Sequence, residues 1–397
     1  MNPKSPIRIP EIRKQPEIPN PKRVFRRSEK VRVNARANPL VRPSGFGFFP
    51  DFGFRASDFG MNPLPIPSTH STSVAANLAS ACRSIRSSGL KPWFACLLAL
   101  IGLFLQGCAT PPTATISRPD ATPRLAIISA FEPELATLRQ QTQIERVEVF
   151  NGRSYYLGRL ADHEVVLLLS GYSMVNASMT TQTLLDHFSV KQIIFSGIAG
   201  GVNPNLQVGD VVVPAQWGQY QEQVFARETP TGWDPGRRAG SFTNYGMMFP
   251  REVTVSRQGN PPDQAEQRFW FPVDPSALAV ANRIAGSVKL DRCTAAGDCL
   301  NSEPRVVVGG NGVSGQTFVD NAAYRQFAWD TFHADALDME TAAVATVAYV
   351  NNVPFIAFRS LSDLAGGGAG KNEAAIFFRL AADNSAKVVL AYLHGVP

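Results

Sequence analysis

Six short apolar runs constrain the fold of this 397-residue chain more than any other feature. They are "RLAIIS" before "AFEPELATL", "EVVLLLSG" before "MVNASMTTQTLLDHF", then "QIIFSGIAGG", "GDVVVP", "RVVVGGNG" and "PFIAFRSLSD". None alternates apolar with polar residues in its apolar part. Each is therefore apolar on both faces, as a strand must be when helix layers cover the sheet on either side. The first two lead straight into segments that read as helices, the first with Glu132 and Glu134 in its opening turn, where acids are favourable against the helix dipole. This strand-then-helix grammar predicts one α/β domain over 121–397, with helices on both faces of a sheet.

From about 216 to 304 the pattern lapses. The segment is rich in Gln, Trp, Pro and Gly, holds Trp217, Trp233 and Trp270, and gives way to strand grammar again only at Arg305. It reads as an irregular insertion suited to shaping a pocket mouth or an oligomer contact, and not as a second domain. Within it Cys293 and Cys299, six apart in "CTAAGDC", have the spacing of a small disulfide-closed loop. A metal pair is the alternative, but the loop supplies no His and no further Cys.

A formal net charge of +6 invites a nucleic-acid reading until the charges are placed. Residues 1–107 hold 16 Lys+Arg and 5 Asp+Glu; of the 38 and 32 in the whole chain, 22 and 27 lie beyond them, a net of −5. The basic character belongs to the first quarter, so nucleic-acid binding by the folded part loses its electrostatic footing. Residues 1–60, rich in Pro, Arg and Asn and without a sustained period, read as a disordered extension. The open alternative is a translation start at or after Met61. Over 61–107, Arg83, Arg86 and Lys91 precede "PWFACLLALIGLFL", an apolar run short for a bilayer span and matched to the core of a secretory signal. The following "LQGC" resembles the lipobox of bacterial lipoproteins, which implies lipidation at Cys108, export, and a lipid anchor facing the periplasm. An ordinary N-terminal membrane anchor is the alternative, and it exports the rest of the chain equally. Residues 108–120 read as a linker.

In open α/β sheets ligands bind beyond the carboxyl ends of the strands. Four runs deliver polar or glycine-rich sequence there: Glu132 with Glu134, "SGYS" (Ser170 to Ser173), "SGIAGG" (Ser196 to Gly201), and Ser362 with Asp363. The segment "ADALDMETAAVATVAYV" reads as a buried helix and adds Asp338 and Glu340 near its start, where charges need a partner or a ligand. Each residue has a plainer use. Glu132 or Glu134 serves a helix N-terminus as readily as catalysis, Asp363 suits an N-cap, and the glycines permit a tight turn as well as a phosphate contact.

"LAIISAFEPEL", "IIFSGIAGGVNPNLQVGDVVVP" and "DMETAAVATVAYVNNVPFIAFRSLSDLAGG", in that order, resemble the nucleoside phosphorylase/nucleosidase superfamily, in particular methylthioadenosine/S-adenosylhomocysteine nucleosidases. "CLNSEPRVVVGGNGVSGQTFVDNAAYRQF" also resembles secreted plant relatives that include bark storage proteins. The resemblance runs from about 124 to 393 and implies a three-layer αβα fold with a central mixed, twisted sheet, the insertion lying outside the bacterial pattern.

It also implies roles. Asp363, beside Ser362, shares a proton with N7 of a purine; Glu134 activates the attacking water; Met339 and Glu340 clasp the ribose; Phe318 stacks on the base. Val319, Gly200 and Ser170 complete the implied substrate-binding set. Phosphorylases of the superfamily bring arginine to phosphate near a Gly-Ser turn, whereas this chain has Ile198 where serine is usual, which favours hydrolysis. The expectation is an exported purine nucleosidase with no cofactor, a small-molecule nucleoside as its partner and a homo-oligomeric state. The alternatives are a phosphorylase and a catalytically weak nucleoside-binding lipoprotein.

Overall fold

The computed structural model describes residues 120–396 apart from 239, 262 and 369. The expected N-terminal extension, signal region, most of the linker and Cys108 lie outside the described residues.

The chain enters on β1 (Asp120–Ser129) and α1 (Glu132–Gln141), then β2 (Gln143–Phe150), β3 (Arg153–Leu160), β4 (His163–Leu169), α2 (Ser173–His187) and the long β5 (Phe188–Gly201). After β6 (Val211–Val213) and β7 (Gln216–Gln219) come three small hairpin pairs built from β8 (Gln223–Phe225), β9 (Arg227–Thr229), β10 (Gly232–Asp234), β11 (Met248–Pro250), β12 (Val253–Ser256) and β13 (Ala265–Arg268). The order closes with β14 (Trp270–Pro272), α3 (Pro275–Ala285), β15 (Val306–Val308), β16 (Asn311–Ser314), α4 (Ala322–Phe332), β17 (Ala334–Asp338), α5 (Thr341–Val350), β18 (Phe355–Asp363) and α6 (Ala374–Gly395).

One twelve-stranded sheet organises the whole, in the order β14-β7-β16-β17-β5-β1-β4-β3-β2, with β18 joining β5 to β6 and β6 carrying β15. It is mixed, as expected. β1 runs parallel to β4 and β5, and β5 parallel to β18, while β17 meets the end of β5 antiparallel at Gly200 and Gly201. Most of the expected strands form because their apolar runs are buried whole: Ala126–Ile128, Val165–Leu168, Ile193–Phe195 and Ile356–Phe358 have no exposed surface, whereas Val306–Val308 of β15 is only half-buried. Helices α1, α3 and α6 pack together and α2 packs on α5, so the three-layer αβα arrangement holds.

One expectation is corrected. The stretch from Ala334 to Asp338 is a strand, not the start of a helix; the helix begins only at Thr341. Ala and Asp are poor strand formers, but this segment pairs with β16 and β5, and burial between them overrides local propensity. The insertion takes part in the sheet. Its first and last strands, β7 and β14, pair with each other and extend the sheet edge beyond β16. Cys293 and Cys299 form the expected disulfide in the loop after α3.

Trp217 explains why β7 belongs to the sheet. It is fully buried, and in the parallel register of β7 and β16 it faces Gly312, where an added Cβ would stand 2.5 Å from the indole ring. Only glycine leaves room. Gly312→Ala should therefore destabilise the fold by about 1–3 kcal/mol through overpacking, read from the urea unfolding midpoint. An unchanged midpoint would mean that the indole does not press on β16.

Candidate active site

The carboxyl ends of β1, β5, β17 and β18 meet around a cavity of about 170 Å³. Glu134, Gly200, Phe318, Val319, Met339, Glu340, Ser362 and Asp363 all line it, residues drawn from along most of the domain and brought to one place. Ser170 is the exception and is corrected here. It follows β4 and is fully buried, but its hydroxyl donates to the Gly171 carbonyl at 2.9 Å and it does not line the cavity. Tyr172, two residues on, lines it instead, its ring stacked on Phe131 at 5.3 Å. Glu132 is set apart on the surface, paired with Arg139.

Beneath the cavity lining, against three of its carboxylates, lies a residue the sequence reading passed over. Arg359, in the middle of β18, has no solvent-exposed surface, and its guanidinium faces Asp338 at 2.7 Å, Glu134 at 3.6 Å and Glu340 at 3.7 Å. Its Nε donates to Thr341 Oγ1 at 2.8 Å, Nη1 to the Ile198 carbonyl at 3.3 Å, and the Cζ sits 4.2 Å from the centre of the Phe195 ring. Three buried carboxylates thus share one cation. The signal in the sequence is a lone arginine inside "FIAFRSLSD", because a charge in a strand buried on both faces requires partners brought by tertiary structure.

Gly197 is the space this cluster needs. A Cβ there would lie 2.1 Å from Arg359 Nη1 and 2.4 Å from Glu134 Oε1. The glycine belongs to neither a tight turn nor a phosphate cradle; it lies within β5 and lets the ion pair close against the backbone.

Glu134 stands third in α1 and is 2% exposed. Its Oε2 accepts from the N–H groups of Ala130 at 2.7 Å and Phe131 at 3.4 Å, and Oε1 from that of Ile198 at 2.8 Å. Both plain and catalytic readings meet in one side chain, since the same carboxylate satisfies free N–H groups at the helix start and faces the cavity. Burial raises its pKa above the usual carboxylate range, against the Arg359 guanidinium and these N–H groups. Glu340 accepts from the Ser173 N–H at 2.8 Å. Burial first, and then the Asp338 carboxylate, push its pKa up to about 8. Asp338 itself accepts from Ser314 and from the N–H groups of Glu340 and Thr341 at 3.2 and 3.1 Å, and so satisfies the first N–H of α5.

Asp363 closes β18 and is 2% exposed. Ser362 Oγ donates to its Oδ2 at 2.9 Å, the Ala365 N–H to Oδ1 at 2.8 Å, and Asn372 Nδ2 reaches Oδ1 at 3.4 Å. Burial raises its pKa, and none of the groups acting on it is a cation. It does not cap a helix, because the next one begins at Ala374. Ile198 turns an apolar side chain to the cavity. Among the described residues no group of three or more His, Cys, Asp or Glu side chains is placed to hold a metal ion.

With this geometry in place, comparison with known proteins identifies relatives. Residues 124–394 match the family model of the phosphorylase superfamily. A 5'-methylthioadenosine/S-adenosylhomocysteine nucleosidase of Bacillus thuringiensis (strain Al Hakam) is 30% identical over 245 residues, 61% of this chain and 87% of the relative. The solved nucleosidase of the same name from Neisseria meningitidis, in complex with methylthio-immucillin-A, superposes with a TM-score of 0.51 at 26% identity, over 68% of this chain and 99% of that one. The futalosine hydrolase of Helicobacter pylori shares the fold, with a TM-score of 0.52 at 22% identity over 69% of this chain and 98% of its own.

Arg359→Met should destabilise the protein by about 3–5 kcal/mol in urea unfolding, because it strands three buried carboxylates; a loss near zero would show that the cluster does not depend on the cation. Glu340 carries a pH signature. Its folded pKa of about 8 exceeds the ordinary 4.5, so between these values the native state holds a proton that the unfolded chain has lost. Its contribution is full below 4.5 and is lost as pH rises through 8. Unfolding midpoints measured across that window should fall with pH in the wild type and less steeply in Glu340→Gln. Equal slopes would mean that Glu340 does not titrate there.

Proposed function

The chain belongs to the phosphorylase superfamily, and from that premise we propose that it is a purine nucleosidase, hydrolysing the N-glycosidic bond of nucleosides such as 5'-methylthioadenosine or S-adenosylhomocysteine. The observation that carries the reading is the meeting of Glu134, Glu340 and Asp363, each from a different element, around one cavity. Support also comes from the Bacillus and Neisseria relatives, which are named for this reaction.

In this reading the base lies against Phe318 and Val319 with its N7 at Asp363, and the ribose lies over Met339 and Glu340. As the bond from C1' to the base breaks, its electron pair leaves with the purine and Asp363 gives a proton to N7. Water attacks C1', and Glu134 takes the proton the water loses. Burial suits both partners: a carboxyl of raised pKa is a competent acid at Asp363, and a carboxylate of raised pKa is a stronger base at Glu134. The surplus of carboxylates over the one guanidinium favours the positive charge that develops on the sugar. Ile198 offers phosphate no side-chain hydrogen bond, which favours water as the nucleophile over phosphorolysis.

We further propose that the domain works outside the cytoplasm as a homo-oligomer, tethered through lipid on Cys108. The signal-like run before that cysteine and the Cys293–Cys299 disulfide support export.

Purified protein incubated with purine nucleosides, with and without phosphate, should release free base and free sugar in both cases. A phosphate requirement would point to phosphorolysis, and binding without product to capture alone. Asp363→Asn should lower turnover by about 10²–10⁴-fold with an unchanged circular dichroism spectrum, as expected for loss of a general acid. Wild-type rates in that variant would remove Asp363 from the mechanism.

A further inference from the structure

A second cavity, of about 470 Å³, adjoins the first across the peptide strip Thr317–Val319, which lines both. Its other walls come from the insertion and from α4. Tyr220, Gln221, Tyr245 and Met248 stand on one side, Asn321 and Tyr324 on the other. The rings of Tyr220 and Tyr245 each lie within 6 Å of that of Tyr324, at 5.8 and 5.0 Å. The chamber is therefore walled by aromatic faces and edged by amides.

Two observations point to a ligand there. Tyr220 is fully buried, lines the chamber, and its phenol oxygen has no hydrogen-bond partner among the described residues. A buried hydroxyl left unpaired costs stability, and such groups in native proteins are paired unless something else meets them. The sizes point the same way: drug-sized ligands occupy pockets of roughly 300–1,000 Å³, so the 170 Å³ catalytic cavity is small by that measure and the adjoining chamber is not.

The shared strip is held from the insertion side. Gln221 uses both ends of its amide, donating to Thr317 Oγ1 at 2.6 Å and accepting from the Gln316 N–H. The chamber is also tied to the base-side acid. Asn372 Nδ2 donates to Asp320 Oδ1 at 3.0 Å while reaching Asp363 Oδ1, and the Asn321 N–H donates to the Ala365 carbonyl at 3.1 Å. Neither Glu134 nor Tyr172 lines it.

We propose that the insertion builds a substituent chamber, so that the substrates of this protein are purine nucleosides whose base carries a bulky planar or apolar group on its 6-amino nitrogen, beside the N7 that faces Asp363. The group passes the Thr317–Val319 strip and lies among the rings of Tyr220, Tyr245 and Tyr324. This rests on the nucleosidase reading for the placement of the base, and it concerns binding, so it is tested apart from turnover.

The test is a titration of the full-length protein with adenine and with N6-benzyladenine, beside a kinetic comparison of adenosine, N6-benzyladenosine and a 5'-benzylthio analogue of 5'-methylthioadenosine. N6-Benzyladenine should bind at least tenfold more tightly than adenine. In Met248→Trp, which fills the chamber, the ratio of the two affinities should fall to near one, while Met248→Ala should keep the preference; a ratio read within one protein does not depend on how much of it folds. Adenine bound and N6-benzyladenine excluded would overturn the proposal while leaving the nucleosidase reading in place. Preference for the 5'-benzylthio compound with exclusion of the N6-benzyl one would also overturn it, since the chamber would then serve the sugar side. Tight N6-benzyladenine binding with no cleavage of any nucleoside would sustain the chamber and overturn the nucleosidase reading, and no binding of either base would overturn both.

Discussion

Everything at this site leans on a guanidinium buried inside a β-strand. Arg359 has no exposed surface and meets three carboxylates that arrive from the first helix, from β17 and from the residue ahead of α5. Unpaired, such a charge would be far too costly to bury; paired, it fixes where Glu134, Asp338 and Glu340 stand relative to one another. The demand spreads outward. Gly197 lacks a side chain so that the pair can close, Phe195 lends the face of its ring, and Thr341 Oγ1 accepts the Nε–H.

The same cluster divides the chemistry. Glu134 sits beside a cation and among backbone donors, conditions that favour its charged form, whereas Asp363 has no cation acting on it. Burial raises both, but from opposite settings, and two carboxyl groups held apart in this way are suited to act as base and acid at once. Burial, and then the Asp338 carboxylate, raise Glu340 as well, to about 8.

The insertion changes the meaning of an ordinary α/β frame. Its strands β7 and β14 lengthen the sheet, Trp217 locks them to Gly312, and Gln221 then reaches back to hold the strip beside the cavity at the strand ends. A segment without a readable period is thus anchored to the sheet and supplies the walls next to the site, where loops and insertions commonly carry specificity.

Where the period was strong, the chain alone was enough. The fully apolar runs of β1, β4, β5 and β18 were legible as strands covered on both faces, and the acids and glycines at their carboxyl ends marked one end of the sheet as the site. Glu134 and Asp363 stood out for that reason, and Glu340 as a charge near the start of an apolar helix. What the sequence could not supply was the set of neighbours. Ala334–Asp338 became a strand because β16 and β5 were there to pair with it, Ser170 turned away because its hydroxyl found a carbonyl one residue on, and Arg359 drew no notice because its three partners lie 19, 21 and 225 positions away. Hydrophobic period is local and survives in one dimension; the pairing of a buried charge is not, and only the folded chain decides it.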